Sequence, residues 1–258
     1  MGTLATIKNL LFRLRYGFRG VPITFQGRVL RLDESLRRWN PSGEKEVQAV
    51  ICQHLRPGDV FVDVGANFGM HALLGASCIE STGHVYAIEP VPFNHRLLER
   101  NIALNNFQTR VTMIPTAAAD KAGGFLELHG VTEGIALAAS LGKPESKGPS
   151  VTVPVTILDE CLKDRFKPIN LIKIDVEGAE HLVLRGARQI IEKDGPLLLI
   201  EVHTFALPSF GSSAEMLRCE LGQLGYREQL IDMVDGIEGS YFHALYHPER
   251  GKGSEASG

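Results

Sequence analysis

Short runs of β-branched apolar residues alternate along the chain with longer stretches in which apolar residues recur every three or four positions. The short runs predict buried strands, and the longer spacing predicts helices. The strands are predicted over Val60 to Val64, His84 to Ile88, Val111 to Ala118, Asn170 to Asp175, Pro196 to Val202, Arg227 to Val234 and Tyr241 to Tyr246. The helices are predicted over Glu44 to Leu55, Asn67 to Cys78, Asn94 to Asn105, Ala179 to Glu192 and Ala214 to Leu224.

This order of elements indicates an α/β protein with a doubly wound, mostly parallel sheet, because strands separated by helices form right-handed crossover units. The main domain is expected over residues 44–247. Within it, residues 120–155 are rich in Gly, Ser and Pro and break the alternation. Short strands at Phe125 to Leu128 and Val151 to Val155 predict a hairpin-like insertion there, with a mobile middle.

The two ends of the chain have patterns of their own. Residues 1–43 contain a basic amphipathic pattern over Leu4 to Arg19 and a short strand within Thr24 to Leu32. The helix is expected to pack on its own domain, with a membrane surface as the alternative. Residues 248–258 are rich in Gly and Ser and are expected to be disordered.

Composition narrows the range of partners. The formal net charge of −3 and the lack of a basic stripe argue against a nucleic-acid partner. The four cysteines are scattered singly, so neither a disulfide framework nor a zinc site is indicated. The chain shows neither an apolar run long enough to span a bilayer nor a signal-peptide pattern, so the expected location is cytoplasmic. The oligomeric state is not indicated.

The most informative segment runs from Val60 to Gly69, where a buried strand ends in Asp63 and a loop with Gly65, Asn67 and Gly69 enters a helix. In a doubly wound sheet the ligand binds beyond the carboxyl ends of the strands. The residue pattern of this loop matches neither the glycine-rich dinucleotide-binding motif nor the phosphate-binding P-loop motif. A loop with few glycines after an acidic strand end suits a cationic sulfonium nucleoside, which has no pyrophosphate to bind. The segment therefore predicts a site for S-adenosylmethionine.

Acidic residues after the next two strands are candidate partners of this loop. Glu89 lies 26 residues beyond Asp63, close to the offset at which an acid binds ribose hydroxyls in nucleotide sites. Asp120 follows the third strand, and its small neighbour Ala119 leaves room for an adenine ring. The exocyclic amine of that ring would donate a hydrogen bond to the Asp120 carboxylate. A plain turn is an equally good interpretation of Asp120.

Several segments together resemble the FkbM family of S-adenosylmethionine-dependent methyltransferases. The similar segments are Val62 to Gly69, Glu89 to Pro92, Asn101 with Asn105, Leu158 to Glu160, and Lys173 to Glu180. The resemblance implies the class I methyltransferase fold, a Rossmann-like sheet of seven strands with an antiparallel last strand. It also implies O-methylation of a hydroxyl on a sugar, polyketide or other small metabolite. The resemblance places Glu44 near the cofactor, and a solvated acid in the first turn of a helix is an equally good interpretation of that residue.

The candidate catalytic residues follow the fourth and fifth strands of the sheet. Asp175 and Glu177 come directly after the fourth strand, and Gly178 gives the loop freedom to turn Glu177 inward. Glu201 and His203 share one face of the fifth strand, and His203 has a titration range suited to proton removal. Glu180 is interpreted as an acid at the positive end of the following helix.

Alternatives remain open from the sequence. Asp175, Glu201 and His203 are an alternative ligand set for a divalent metal, but spacing alone does not favour one. An N-methyltransferase is the nearest competing activity, although the segment after the fourth strand lacks the element typical of many amine-methylating enzymes. A catalytically silent binding module is disfavoured by the intact Asp63 loop and Glu89.

Overall fold

The computed structural model describes residues 15–129, 150–236 and 239–249. The strands are β1 Val21–Phe25, β2 Arg28–Leu32, β3 Val60–Val64, β4 His84–Ile88, β5 Val111–Ile114, β6 Ala117–Ala118, β7 Phe125–His129, β8 Ser150–Thr156, β9 Leu171–Ile174, β10 Leu197–His203, β11 Tyr226–Gly236 and β12 Gly239–Pro248. The helices are α1 Lys45–His54, α2 Met70–Ile79, α3 Pro92–Leu104, α4 Leu158–Cys161, α5 Glu180–Gly186, α6 Arg188–Asp194 and α7 Ala214–Gln223.

Seven of the strands form one sheet in the order β11-β12-β10-β9-β3-β4-β5. The pairs β3–β4, β4–β5 and β9–β10 are parallel, whereas β12 is antiparallel to both of its neighbours, β10 and β11. The predicted class I methyltransferase architecture is therefore confirmed, including the reversed last strand.

The described residues divide into two compact units, one ending at Pro115 and the other beginning at Thr116. The predicted boundaries at residues 43 and 247 stay predictions. Pro115 also interrupts the strand predicted over Val111 to Ala118, which is two strands, β5 and β6. Proline has no backbone N–H for the ladder, which explains the break.

The first unit begins with a β-hairpin where the sequence predicts one short strand. Gln26 and Gly27 have φ values of 46° and 76°, the left-handed backbone that a two-residue hairpin turn requires. Asn105, the residue that follows α3, holds β2 through both backbone groups of Arg31, accepting from its N–H at 2.8 Å and donating to its carbonyl at 2.7 Å. The hairpin is thus anchored to the helix.

The core of the first unit lies between β3 and α2. Each residue of β3 is buried, and α2 is apolar around nearly its whole circumference. Gly75 of α2 sits against the ring of Phe61, which a Cβ at position 75 would overlap. Close packing of this kind lets the helix lie directly on the strand. The thiols of Cys52 and Cys78 also meet here, with their sulfur atoms 3.4 Å apart.

The second unit carries the insertion and the remaining helices. Strands β7 and β8 pair antiparallel, which confirms the predicted hairpin-like edges, while the predicted mobile middle lies outside the described residues. The helix predicted over Ala179 to Glu192 is two helices, α5 and α6, separated at Ala187.

The predicted end segments are only partly described. The amphipathic helix predicted over Leu4 to Arg19 lies mostly outside the described residues, as does the predicted tail from residue 250 onward. Strand β12 extends to Pro248, the first residue of that tail. Across the described part of the chain, every helix is too short or too polar to cross a bilayer.

Candidate functional site

The loop after β3 contains three residues in left-handed conformation within five positions. Gly65, Asn67 and Gly69 have φ values of 80°, 52° and 92°. Such backbone is open to glycine and tolerated by asparagine. Asp63, which precedes the loop, is fully buried. Gly69 lies close to α3, since a Cβ here would overlap Leu98.

Glu89 holds this loop in shape. One carboxylate oxygen accepts the backbone N–H of Asn67 at 2.7 Å, and the other accepts that of Val91 at 2.8 Å. The side-chain amide of Asn94 donates to the second oxygen at 3.4 Å. Burial raises the pKa of Glu89 to about 7 in spite of these hydrogen bonds. Glu89 therefore has a structural task besides the ribose contact expected from the sequence.

Three further predicted cofactor residues have clear positions. Glu44 precedes α1, and its Oε2 lies 3.2 Å from Nε2 of the buried His71. In the second unit, the N–H of Ala119 donates to the carbonyl of Thr156 at 2.9 Å. The half-buried Asp120 follows it directly. Their predicted contacts with the cofactor stay predictions.

The acids after β9 belong to a second group of polar residues. Asp175 accepts a hydrogen bond at 2.9 Å from the Nζ of Lys173, which is buried within β9. This contact supplies the partner that a buried lysine needs. The Asp175 side chain retains 23% exposure, so one side of the carboxylate faces solvent.

A tight turn brings Glu177 to the same place. Glu177 and Gly178 have φ values of 54° and 107°, and Gly178 lies against Ala206 so closely that a Cβ would collide. With the turn fixed, Glu177 Oε2 lies 3.3 Å from Nε2 of His203. The sequence-based prediction that Gly178 permits an inward Glu177 agrees with this geometry.

His203, at the end of β10, has carboxylates at both ring nitrogens. Nδ1 lies 2.8 Å from Glu180 Oε1, and Nε2 lies 3.3 Å from both Glu177 Oε2 and Glu201 Oε1. Burial alone would lower the pKa of His203, but the hydrogen bonds to Glu180 and Glu201 and the surrounding acids raise it to about 11. A raised pKa favours the protonated ring, and the expectation that His203 removes a proton near neutral pH stays a prediction.

The polar network continues from Glu201 to His243 on β12. Their side chains meet at 3.0 Å, and the other ring nitrogen of His243 lies 2.5 Å from Asp232 on β11. Burial alone would raise the pKa of Glu201, but hydrogen bonds to the two histidines hold it well below its usual range. Burial opposes a charge on His243, yet its acidic neighbours raise its pKa to about 9.

Sequence reasoning missed three members of this network, namely Glu180, Asp232 and His243. Glu180 resembles an ordinary first-turn helix acid, and it does accept the N–H of Gly178 at 2.9 Å. The positions of Asp232 and His243 depend on the pairing of β11, β12 and β10, where a bulge shifts the register after Leu230. Alternation along one strand does not reveal cross-strand neighbours.

Comparisons with known proteins agree with this fold. A family model described as the methyltransferase FkbM domain matches residues 63–228. The hexuronic acid methyltransferase AglP of Haloferax volcanii is 30% identical over 179 residues, which cover 68% of this chain and 69% of the relative. The 31-O-demethyl-FK506 methyltransferase FkbM of Streptomyces tacrolimicus is 30% identical over 181 residues, 58% of this chain and 67% of the relative.

Solved structures show the same architecture at lower sequence identity. The crystal structure of methyltransferase FkbM from Methylobacillus flagellatus has a TM-score of 0.51 and 17% identity, and the match covers 95% of this chain and 60% of the other. An rRNA methylase from Streptococcus thermophilus has a TM-score of 0.50 and 12% identity, with coverage of 79% and 95%. At these identities the likeness establishes the fold alone.

Proposed function

The chain belongs to the FkbM family of S-adenosylmethionine-dependent methyltransferases, and we propose that it transfers the methyl group to a hydroxyl of a small metabolite such as a sugar or a polyketide. The observation that carries the proposal is the cluster of Asp175, Glu177, Glu201 and His203 at the carboxyl ends of β9 and β10, where partly exposed carboxylates are held in fixed positions. Two relatives support the class of acceptor, since one is named for a hexuronic acid and the other for a 31-O position.

The cofactor would be held by the β3 loop and its partners. Asp63 would attract the cationic amino-acid portion of S-adenosylmethionine, because it is a buried acid that directly precedes the β3 loop. The left-handed backbone of Gly65 would let the main chain approach the ligand closely, and Gly69 would let the loop enter α2 close to Leu98. Glu89 would accept the ribose hydroxyls with lone pairs that its two backbone hydrogen bonds leave over. Glu44, Asn67, Ala119 and Asp120 complete the proposed cofactor contacts.

Methyl transfer from a sulfonium is an in-line displacement in which the acceptor oxygen forms a bond to the methyl carbon as the carbon–sulfur bond breaks. The hydroxyl is a weak nucleophile until its proton is removed. The carboxylates of Asp175 and Glu177 would receive that hydroxyl and its proton, and His203 with Glu201 would hold them in place. The products are S-adenosylhomocysteine and a methyl ether.

The test is binding and turnover with the full chain. Titration calorimetry with S-adenosylhomocysteine is expected to show one site, and radiolabelled S-adenosylmethionine is expected to label hexuronic acids, neutral sugars or hydroxylated polyketides but not amines. Failure to bind S-adenosylhomocysteine at millimolar concentration would refute the proposed methyltransferase activity. Labelling of amines alone would show an N-methyltransferase instead.

A further inference from the structure

Three side chains of the cluster converge on one point. Asp175, Glu177 and His203 each offer a ligand atom, and these atoms all lie within 4.8 Å of one another. The carboxylates are 23% and 21% exposed, whereas the ring of His203 is 4% exposed. The point where the three ligand atoms meet is therefore buried on the side of His203 and accessible to solvent on the side of Asp175 and Glu177.

The environment of His203 Nε2 calls for a positive charge between the ring and the acids. Carboxylates only accept hydrogen bonds when they are ionised, and a neutral imidazole donates from one nitrogen alone. Nδ1 is already directed at Glu180 at 2.8 Å, so its proton is committed there. The two carboxylates at 3.3 Å from Nε2 then need either a second ring proton or a metal cation.

Glu180 gives His203 the support that metal-bound histidines have. A ligating histidine usually donates its other ring N–H to a carboxylate, which fixes the tautomer and the ring orientation. Glu180 does this from a fully buried position. Its second oxygen is buried with no hydrogen-bond partner among the described residues, which adds negative charge inside the cluster.

Local charge also favours a cation. The charged groups in contact with the three ligand residues are the acids Glu180 and Glu201 and the single cation Lys173, among the described residues. Glu201 is less suitable as a ligand than the sequence suggests, because His243 occupies its other oxygen at 3.0 Å. Glu177 takes its place in the ligand set.

We propose that Asp175, Glu177 and His203 bind a divalent cation of the Mn²⁺ class, with Glu180 as the positioning residue of the histidine. Two carboxylates and one imidazole suit such a cation, and three protein ligands leave coordination positions for the acceptor hydroxyl. The cation would lower the pKa of that hydroxyl and thereby assist its ionisation. The catalytic meaning of the site rests on the proposed function, but the binding of the metal does not.

The first experiment measures Mn²⁺ binding to the metal-free full chain by electron paramagnetic resonance, without S-adenosylmethionine or acceptor. One Mn²⁺ per chain is expected for the wild type. Asp175→Asn and Glu177→Gln should each weaken binding by about tenfold or more, and Glu180→Gln by roughly 10- to 100-fold. Glu192→Gln, at an exposed acid on α6, is the matched control and should bind like the wild type.

Two results would overturn the proposal: no bound Mn²⁺ at millimolar concentration, or equal binding by the wild type and all four variants. A second experiment compares methyl transfer before and after treatment with a chelator. Loss of turnover and its return with Mn²⁺ are expected. Full turnover in the chelator would refute the metal while leaving the proposed function intact. If Mn²⁺ binds but S-adenosylhomocysteine does not, the proposed function is refuted and the metal site remains.

Discussion

Nδ1 of His203 lies 2.8 Å from Oε1 of Glu180, a carboxylate with no exposed surface. The same oxygen accepts the N–H of Gly178, in the turn that carries Glu177. One buried acid therefore fixes both the histidine ring and the neighbouring loop. Since helix α5 begins at Glu180, the position of the whole cluster depends on where that helix starts.

Removal of this carboxylate is expected to be costly. We expect Glu180→Ala to lower the free energy of unfolding by about 3–5 kcal/mol, because it leaves the buried Nδ1 of His203 and the N–H of Gly178 without their acceptor. Glu192→Ala, which removes an exposed carboxylate paired with Arg188, should change it by less than about 1 kcal/mol. Urea denaturation measures the free energy of unfolding of both variants. Equal losses would show that the buried contact of Glu180 stabilises the protein no more than the exposed ion pair of Glu192.

Asp63 provides a direct test of the cofactor site. We expect Asp63→Asn to weaken S-adenosylhomocysteine binding by about 100-fold or more, because the amide keeps the shape of the buried carboxylate but loses its charge. Glu99→Gln removes an exposed charge on α3 and should leave the affinity unchanged. Titration calorimetry gives the affinities. Less than a threefold difference between Asp63→Asn and the wild type would contradict the assignment.

Glu89 predicts a pH dependence of stability. Its pKa is raised from 4.5 to about 7 by burial, so the folded protein holds the proton more tightly than the unfolded chain does. The wild type should therefore lose stability as the pH rises from about 4.5 to 7, by roughly 3 kcal/mol relative to Glu89→Gln.

Urea titrations of both proteins at several pH values give this difference. The constant offset between them also contains the hydrogen bond that the Gln amide cannot accept, so the test is the slope. A difference that stays flat between pH 4.5 and 7 would mean that Glu89 is ionised throughout.

The sequence predicted the sheet better than the details of its connections. Strands β3 and β4 have the predicted bounds, and the ends of most other elements shift by a few residues, since apolar periodicity defines strand and helix interiors. The sequence did not predict the hairpin turn at Gln26 and Gly27, because Gln rarely adopts left-handed backbone.

The candidate site was predictable where it follows one strand and not where it depends on several. Asp175, Glu201 and His203 could be placed at strand ends from the chain alone. Glu180 looked like a helix-capping acid, and His243 reaches the network only through the cross-strand pairing with Glu201. The raised pKa of His203 follows from this crowding of acids, which local sequence does not show.

Asp175 is expected to separate turnover from cofactor binding. Asp175→Asn should leave the affinity for S-adenosylhomocysteine within about threefold of the wild type and lower turnover by about 100-fold, in the range of lost acid–base catalysis. Asp164→Asn, in the turn after α4, is a control that should retain turnover. Labelled methyl transfer and calorimetry measure the two quantities. If Asp175→Asn loses the cofactor instead, the proposed division of roles is wrong.

Gly186 tests the predicted adenine side of the cofactor site. It is the last residue of α5, and a Cβ at this position would overlap the carbonyl oxygen of Ala119. Because that neighbour is backbone, Gly186→Ala must displace the segment that leads into Asp120. We expect a loss of about 1–3 kcal/mol in the free energy of unfolding.

A second glycine in a helix separates this clash from the general effect of adding a methyl group. Gly222 of α7 has no atom within 4 Å of a built Cβ, so Gly222→Ala should stabilise the protein by about 0.4–1 kcal/mol. If Ala119 and Asp120 contact the adenine, Gly186→Ala should also weaken S-adenosylhomocysteine binding, whereas Gly222→Ala should not. Unchanged affinity in a destabilised Gly186→Ala protein would remove these two residues from the cofactor site, because their displacement would then have no effect on the ligand.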